Sequence, residues 1–237
     1  MNFKENLIKI FANNNISIND LQINNFEKFY NLLIETNKTH NLTAITDKEE
    51  VITKHFLDSI LPSNIIPDES KIIDIGCGAG FPSIPLKIMN SSLNIFAIDS
   101  VGKKVDFVEN TVKHLEISEN FTAIHTRIED LAKNKDYRET FDFVVSRAVA
   151  PLSVILEYSA PFLKNNGYIL SYKGTNYAEE LKNSANALKI LNCKVEEILK
   201  FNIPELNTTR YILKIKKFGN ISTKYPRGQN KPRISPL

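Results

Sequence analysis

Short apolar segments alternate with helical stretches from Lys71 onward, and this alternation constrains the fold more than any other feature. The apolar segments read as buried strands: KIIDI (71–75), LNIFAI (93–98), FTAI (121–124), FDFVVS (141–146) and GYILSY (167–172). The helical stretches between them cover residues 82–89, 102–115, 151–163 and 176–190. This order predicts a mostly parallel, doubly wound α/β sheet with helices on both faces. Two later strands, near residues 193–201 and 210–216, predict an antiparallel hairpin at the edge of that sheet.

The residues before this alternation have helical periodicity. Ser17 with Asp20 predicts one helix start, and Asp47 with Glu50 has the spacing of a capping box at another. We therefore divide the chain into three parts. They are a helical N-terminal cap (residues 1–65), an α/β domain (residues 66–220) and a basic C-terminal tail (residues 221–237).

The composition is that of an ordinary globular protein. Hydrophobic residues make up 42% of the 237 residues and charged residues 24%, which excludes disorder of the whole chain. Cys77 and Cys193 are too few for a disulfide framework, and they stand in no metal-ligand spacing. No apolar run approaches the ~20 residues that cross a bilayer. We therefore expect a reduced, cytoplasmic monomer that binds no metal and no membrane.

The basic residues are concentrated at the C-terminal end. Residues 214–237 hold seven Lys and Arg residues and no acidic residue, whereas the rest of the chain has 23 basic and 27 acidic residues. A basic segment on a mildly acidic body favours a polyanionic partner such as nucleic acid. A solvated tail that only improves solubility is the alternative explanation.

The sharpest motif is a glycine-rich turn, IIDIGCGAGFP, at residues 72–82. Gly76, Gly78 and Gly80 permit positive φ angles and close approach of a ligand to the backbone. Asp74 ends the strand that enters the turn, and a helix is predicted to follow it. Open α/β sheets bind ligands at the carboxyl ends of their strands, so the turn predicts a binding site.

The spacing of the turn favours S-adenosylmethionine over a dinucleotide. A dinucleotide fingerprint needs a third glycine three residues after the second, and Phe81 stands at that position. The Asp74 carboxylate would repel a pyrophosphate, but it suits a ligand with sulfonium and ammonium groups and no phosphate. The motif therefore predicts a cofactor site at Asp74, Gly76, Gly78 and Gly80. A nicotinamide-dependent oxidoreductase is the less favoured alternative.

Residues after the second and third strands extend this candidate site. Asp99 ends the second strand, where a carboxylate can accept hydrogen bonds from both ribose hydroxyls of a nucleoside. Ile128 and Glu129 follow the third strand, where such folds place the loop beside the adenine. NAD also needs the acid at Asp99, so this residue does not choose between the cofactors. The alternative for each residue is a structural role at a helix start.

The fourth strand ends in Ser146, Arg147 and Ala148, at the edge where we expect the reaction. Enzymes that methylate exocyclic amines often carry Asp or Asn, two prolines and an aromatic residue there, and this chain does not. Neither cysteine stands where methylation of pyrimidine C5 would need a nucleophile. An acceptor with a free lone pair, such as guanine N7, fits better, because it requires orientation and no general base.

Basic and polar residues near that edge are candidates for positioning the substrate. Arg147 could donate a hydrogen bond to the cofactor or to guanine O6, or it could form a structural ion pair. Lys173 ends the fifth strand at the same edge. Asn41, His55 and Arg210 could each face the cleft or an RNA phosphate, although a lone histidine on a helix is more often structural.

Seven segments together resemble the ribosomal RNA small subunit methyltransferase G family, also called glucose-inhibited division protein B. The segments are NLTAIT (41–46), KHFLDSI (54–60), DIGCGAGFPSIPL (74–86), DSVGKKVDFV (99–108), SRAVAPL (146–152), YKG (172–174) and the proline-containing tail (225–236). Many methyltransferases share the glycine turn, whereas NLTAI, the H-x-L-D-S segment and SRA are far more particular to this family. The resemblance runs from about the second helix to the last residue.

The resemblance implies a class I S-adenosylmethionine-dependent methyltransferase fold with a helical N-terminal extension. It implies N7 methylation of one guanine in 16S rRNA near the decoding centre, on free rRNA or on the small ribosomal subunit. The implied cofactor contacts are Gly76, Gly78, Phe81, Ile128, Glu129 and Arg147, with Asp99 at the ribose. The implied rRNA contacts in the tail are Lys224, Arg227, Lys231 and Arg233.

Two further functions stay open alongside this one. A methyltransferase of the same fold could act on a protein or a small molecule, and only the resemblance argues against that reading. A non-catalytic RNA-binding assembly factor could also keep the fold. Its sign would be an eroded glycine turn, and the turn in this chain is intact.

Overall fold

A single sheet of seven strands, in the order β3-β2-β1-β4-β5-β7-β6, organises residues 2–237, which the computed structural model describes. The strands are β1 (Lys71–Ile75), β2 (Asn94–Asp99), β3 (Phe121–His125), β4 (Phe141–Arg147), β5 (Leu163–Lys173), β6 (Cys193–Ile203) and β7 (Thr208–Lys217). The first five strands are parallel, and β7 runs antiparallel to both β5 and β6. The predicted doubly wound sheet with an antiparallel hairpin at its edge is confirmed.

Helices α1 (Phe3–Asn13) and α2 (Asp20–His40) precede the sheet, followed by α3 (Lys48–Glu50), a π-helical segment (Val51–Leu57) and α4 (Asp58–Ile60). The side chain of Asn19 caps α2 by accepting the backbone N–H of Gln22. The helix start predicted at Ser17 is therefore wrong, because Asn19 and Gln22 form a capping box two residues further along the chain. Asp47 caps α3 as predicted, by accepting the N–H groups of the second and third helical residues.

The remaining helices lie between and after the strands. They are α5 (Ser83–Met89), α6 (Gly102–His114), α7 (Ile128–Leu131), α8 (Leu152–Ser159), α9 (Tyr177–Asn183), α10 (Ala185–Ile190) and α11 (Lys231–Ile234). The single helix predicted over residues 176–190 is two helices, because the chain turns at Ser184, whose hydroxyl donates to the carbonyl of Glu180 at 2.7 Å. Among residues 2–237, no helix has the length and apolar character that a membrane span requires.

An aromatic cluster joins the N-terminal helices to the glycine turn. The ring of Phe56 is fully buried, and its centroid lies 5.0 Å from that of Phe26 and 5.3 Å from that of Phe29. Phe81, which ends the glycine turn, lies 6.1 Å from Phe56 and 5.2 Å from Phe29. The helices therefore share one hydrophobic core with the turn that they cover.

Replacing Phe56 by alanine is expected to lower the free energy of unfolding by about 3–5 kcal/mol, because it leaves a cavity in this cluster. Denaturant titration measures the loss. Leu21→Ala is the matched control, since Leu21 is 68% exposed and its truncation should cost little. Equal losses for the two variants would contradict a shared core between cap and turn.

Candidate active site

The glycine turn joins β1 to α5 with three left-handed glycines, whose φ angles are +76°, +57° and +86° at Gly76, Gly78 and Gly80. A Cβ atom on Gly76 would lie 2.9 Å from Cγ2 of Val149, and one on Gly80 would lie 2.4 Å from Cδ1 of Ile84. No atom lies within 4 Å of the corresponding position on Gly78. Two of the glycines therefore allow close packing within the protein, whereas the third faces open space.

That open space is a cleft of about 690 Å³ along the carboxyl ends of the parallel strands. The glycine turn, the end of β2, the loop after β3, the loop after β4 and the C-terminal segment form its walls. Lining residues include Gly76, Gly78, Phe81, Asp99, Ile128, Glu129, Arg147, Tyr158, Asn230 and Arg233. The structure thus brings together the candidate cofactor residues from four separate parts of the sequence.

Asp99, at the end of β2, holds the backbone on one side of the cleft. One oxygen of its carboxylate accepts the N–H of Gly78 at 3.0 Å, and the other accepts the N–H of Val101 at 2.9 Å. The carboxylate therefore holds the open glycine in place. Each oxygen has a second lone pair, so Asp99 can also accept the hydroxyls of a bound ribose.

Asp74 and Gly80 are not among the residues that line this cleft, and a direct contact of either residue with a cofactor stays a prediction. Asp74 is fully buried beneath the turn, where its Oδ2 accepts the N–H of Ser83 at 3.2 Å and its Oδ1 has no partner. Burial raises the pKa of Asp74 to about 7, against an ordinary value of 3.8. Asp74 therefore stabilises the start of α5 from inside the protein. A cofactor in the first cleft would contact the backbone of the glycine turn on its opposite, open side.

A second cleft of about 750 Å³ opens on the other side of Arg147. His55, Arg147, Ala148 and Val149 line both clefts, and Ala148 has a left-handed φ of +56°. Lys173 lines the second cleft together with residues of α4, β5 and β7. A ligand in the first cleft and a substrate in the second would therefore meet at these four shared residues.

Arg147 is held by three acceptors in the π-helical segment and α4. Its Nη1 donates to the carbonyl of Lys54 at 2.8 Å and to Oδ2 of Asp58 at 2.9 Å. Its Nη2 donates to Nδ1 of His55 at 3.1 Å. The other carboxylate oxygen of Asp58 accepts Nε of Arg210 at 3.1 Å, so one acid orients two arginines. The structural ion pair that the sequence offered as the alternative for Arg147 is therefore present, and its partner is Asp58.

His55 is partly buried and lines both clefts, as one of its candidate roles required, whereas an RNA contact at His55 stays a prediction. Its ring stacks on that of Phe81 with centroids 4.4 Å apart. Burial and the Arg147 charge lower the pKa of His55 to about 3. Because Nδ1 accepts from Arg147, the ring proton lies on Nε2, which faces the Thr43 hydroxyl at 2.9 Å.

The other candidate residues occupy distinct places. Lys173 is mostly buried, forms an ion pair with Glu180 at 2.7 Å and donates to the carbonyl of Ala150 at 3.4 Å. Asn41 ends α2 in the left-handed conformation, is exposed and lines neither cleft. An RNA contact at Asn41 stays a prediction.

Much of the basic charge predicted for an RNA partner is used within the protein. Lys217 pairs with Glu139 at 2.7 Å, and Lys214 pairs with Glu196 at 3.1 Å. Arg227 forms a bidentate ion pair with a fully buried glutamate. Among the described residues, Lys224, Lys231 and Arg233 have no ion-pair partner. The rRNA contacts expected of this segment stay predictions, and fewer of its charges are unpaired than its composition indicates.

Several residues of the site were not among the sequence candidates. Asp58 carried a signal, since it stands three residues after His55 on one helix face. Val149 and Tyr158 carried none, because an apolar residue in a loop and a tyrosine on an apolar helix have many ordinary explanations. Only the folded chain shows that they close the first cleft.

The fold and the cleft define a class I methyltransferase. The structure resembles that of a SAM-dependent O-methyltransferase from Thermotoga maritima, with a TM-score of 0.54 and 18% identity over 80% of this chain and 72% of that one. That likeness shows the fold alone.

The sequence identifies the family within that class. The family model for rRNA small subunit methyltransferase G matches residues 22–209. The chain is 46% identical over 217 residues to ribosomal RNA small subunit methyltransferase G of Thermoanaerobacter sp. (strain X514), covering 91% of this chain and 90% of that protein. It is 42% identical over 236 residues to the protein of that name from Streptococcus pneumoniae (strain ATCC 700669 / Spain 23F-1), covering 98% and 99%. The chain belongs to the rRNA small subunit methyltransferase G family.

Alanine substitutions at Gly78 and Gly80 should have different effects, because only Gly78 faces open space. Gly78→Ala places a methyl group in the first cleft at a left-handed φ, so we expect a loss of ligand affinity of at least tenfold with about 1–2 kcal/mol of lost stability. Gly80→Ala meets Ile84 and should lower stability more. Calorimetric titration with S-adenosylhomocysteine and denaturant unfolding measure the two effects. Unchanged affinity in folded Gly78→Ala would contradict the placement of the ligand.

The raised pKa of Asp74 predicts a stability difference that depends on pH. The folded state holds this proton more tightly than the unfolded state, so the stabilisation is complete below pH 3.8 and is lost as pH rises through about 7. Asp74→Asn removes this dependence. The unfolding free energy of wild type relative to the variant should fall by at most about 1.4 kcal/mol per pH unit between pH 4 and 7. If the unfolding free energies of wild type and Asp74→Asn changed in parallel with pH, the result would contradict a buried, protonated carboxyl at Asp74.

Proposed function

We propose that this protein transfers a methyl group from S-adenosyl-L-methionine to N7 of a guanine in 16S rRNA, near the decoding centre. The observation that carries the proposal is the meeting of two clefts at Arg147 and His55, in a chain of the rRNA small subunit methyltransferase G family. S-adenosylmethionine, when bound, supplies an electrophilic methyl group. The protein's residues have to bind it, orient the guanine and keep water away.

The first cleft suits this cofactor in shape and in chemistry. The backbone at Gly78 leaves room for a ligand, and the Asp99 carboxylate offers acceptors for two ribose hydroxyls. Ile128 and Glu129 form the wall where the adenine is expected, with apolar surface and an acceptor side by side. No phosphate-binding lysine or arginine has to be invoked, because the cofactor has no phosphate.

The second cleft supports an acceptor that needs no general base. His55 has a pKa of about 3 and uses Nδ1 on Arg147, so it does not take a proton at neutral pH. Both oxygens of Asp58 are engaged by arginines, and the Lys173 ammonium is paired with Glu180. Guanine N7 attacks the methyl group through its own lone pair and loses no proton. The enzyme therefore accelerates the transfer mainly by orienting the guanine. Arg147 has donors left over that fit guanine O6.

The charges around this cleft also suit a guanine that becomes cationic as N7 is methylated. Two arginines and two lysines line it, and their ion pairs with Asp58, Glu180 and Glu50 offset most of their charge. A protonated His55 would add a further cation beside the reacting ring, and its low pKa prevents this. Arg147 and Lys173 therefore act in this proposal as positioning residues.

The rRNA backbone would be held by the basic residues around the two clefts. Arg210 keeps its terminal nitrogens for a phosphate while its Nε donates to Asp58, and Lys224 and Lys231 are exposed on the C-terminal segment. Phosphate contacts of this kind make affinity fall with salt. We also propose that the protein acts as a cytoplasmic monomer. Residues 1–65 form its helical cap in this proposal, and the basic residues named above contact rRNA.

Methyl transfer from labelled S-adenosylmethionine tests the proposal on free 16S rRNA and on small subunits from cells that lack the enzyme. We expect one labelled guanine, mapped by cleavage at N7-methylguanosine. Arg147→Ala should lower the single-turnover rate by about 100-fold through lost orientation, whereas Lys113→Ala, on the exposed face of α6, should not change it. Cofactor binding without label on RNA would favour a protein or small-molecule substrate instead.

A further inference from the structure

The C-terminal segment, residues 221–237, is anchored to the methyltransferase domain by a buried ion pair. Glu157 of α8 has no exposed surface. Its Oε1 accepts both Nε and the backbone N–H of Arg227 at 2.8 Å, and its Oε2 accepts Nη2 at 2.7 Å. A buried carboxylate without such a partner would be strongly destabilising, so this anchor is in place whenever the domain is folded.

Two further contacts fix the path of the segment around that anchor. Arg138 donates to the carbonyl of Tyr225 at 2.9 Å, just before the anchor. Arg227 itself donates to the carbonyl of Ser235 at 2.8 Å, just after α11. The last helix is therefore held at both ends, and Pro232 within it is buried.

This path places Arg233 and Asn230 on the wall of the first cleft. Nη2 of Arg233 donates to the carbonyl of Val149 at 3.2 Å. Val149 is the residue whose side chain packs on Gly76, where a Cβ atom would lie only 2.9 Å from it. A continuous set of contacts thus runs from the buried anchor, through Arg233 and Val149, to the turn that binds the cofactor.

We propose that the C-terminal segment is part of the cofactor site, with Arg233 as the positioning residue that holds Val149 against the glycine turn. The inference rests on the proposed cofactor. It gives Arg233 a role other than the rRNA contact expected from its charge. Lys224 and Lys231, which are exposed, keep the rRNA role expected from their charge.

The geometry favours this role over a purely electrostatic one. A residue that only attracts RNA has no need of a fixed partner, yet Arg233 contacts a backbone carbonyl in a loop that lines both clefts. Loss of this hydrogen bond releases Val149 from the glycine turn, and we expect it to weaken cofactor affinity by about tenfold.

Calorimetric titration of the full chain with S-adenosylhomocysteine tests the proposal without any RNA. We expect Arg233→Ala to bind about tenfold more weakly, and Arg233→Lys, which keeps the charge and one donor, to recover part of that loss. Lys224→Ala and Lys231→Ala remove the same charge from the same segment, and they should stay within twofold of wild type. Thermal unfolding of each variant should show that the fold is kept.

A double-mutant cycle separates positioning through Val149 from a general effect on the fold. In a Val149→Ala background, Arg233→Ala should cost clearly less affinity than it does in the wild type, because the side chain that it positions is gone. Additive losses, or an Arg233→Ala affinity equal to that of the lysine variants, would overturn the proposal. If wild-type protein bound no S-adenosylhomocysteine at all, the proposed function itself would fail instead.

Discussion

Asp58 ties together three parts of the chain that lie far apart in sequence. Its carboxylate is about 10% exposed and accepts hydrogen bonds from Arg147 at the end of β4 and from Arg210 on β7, while Asp58 itself begins α4. Two arginine cations that contact the same carboxylate would repel each other without it, and their shared acid offsets that repulsion. The helical cap therefore supplies the charge that allows the sheet to present two arginines at its reactive edge. Arg147 also donates to His55, whose ring stacks on Phe81, so this contact links the acid to the glycine turn.

The same rule governs the other buried charges. Glu157 accepts hydrogen bonds from Arg227, Lys217 donates to Glu139 and to the carbonyl of Leu163, and Lys87 donates to two backbone carbonyls. Each pair fixes one strand or segment relative to another, because an unpaired ion in that position would be too costly. Much of the basic character of residues 214–237 is therefore structural. The net charge of a segment is a poor guide to its partner when the ion pairs inside the fold are unknown.

The sequence was sufficient for the sheet, its strand alternation and the antiparallel edge, since these follow from local periodicity and from the glycine turn. It also placed Asp99, Ile128, Glu129 and Arg147 correctly at the carboxyl edge of the sheet. Asp74 and Gly80 are adjacent in sequence to residues that line the first cleft, but Asp74 is buried and a Cβ atom on Gly80 would meet Ile84, which alternation along one turn does not reveal. Cofactor contacts at these two positions stay predictions. The path of the C-terminal segment could not be predicted either, because the contacts of Glu157 and Arg138 that fix it join residues far apart in sequence.

Ala148 stands where the two clefts meet, and its left-handed backbone has a consequence for how this enzyme can change. An alanine in that conformation costs about 1 kcal/mol that a glycine would not. A search for thermostable variants would therefore tend to select glycine at this position. The gain would come from relief of backbone strain, but glycine would also loosen the loop between cofactor and substrate, so that selection for stability and selection for turnover act in opposite directions at this residue.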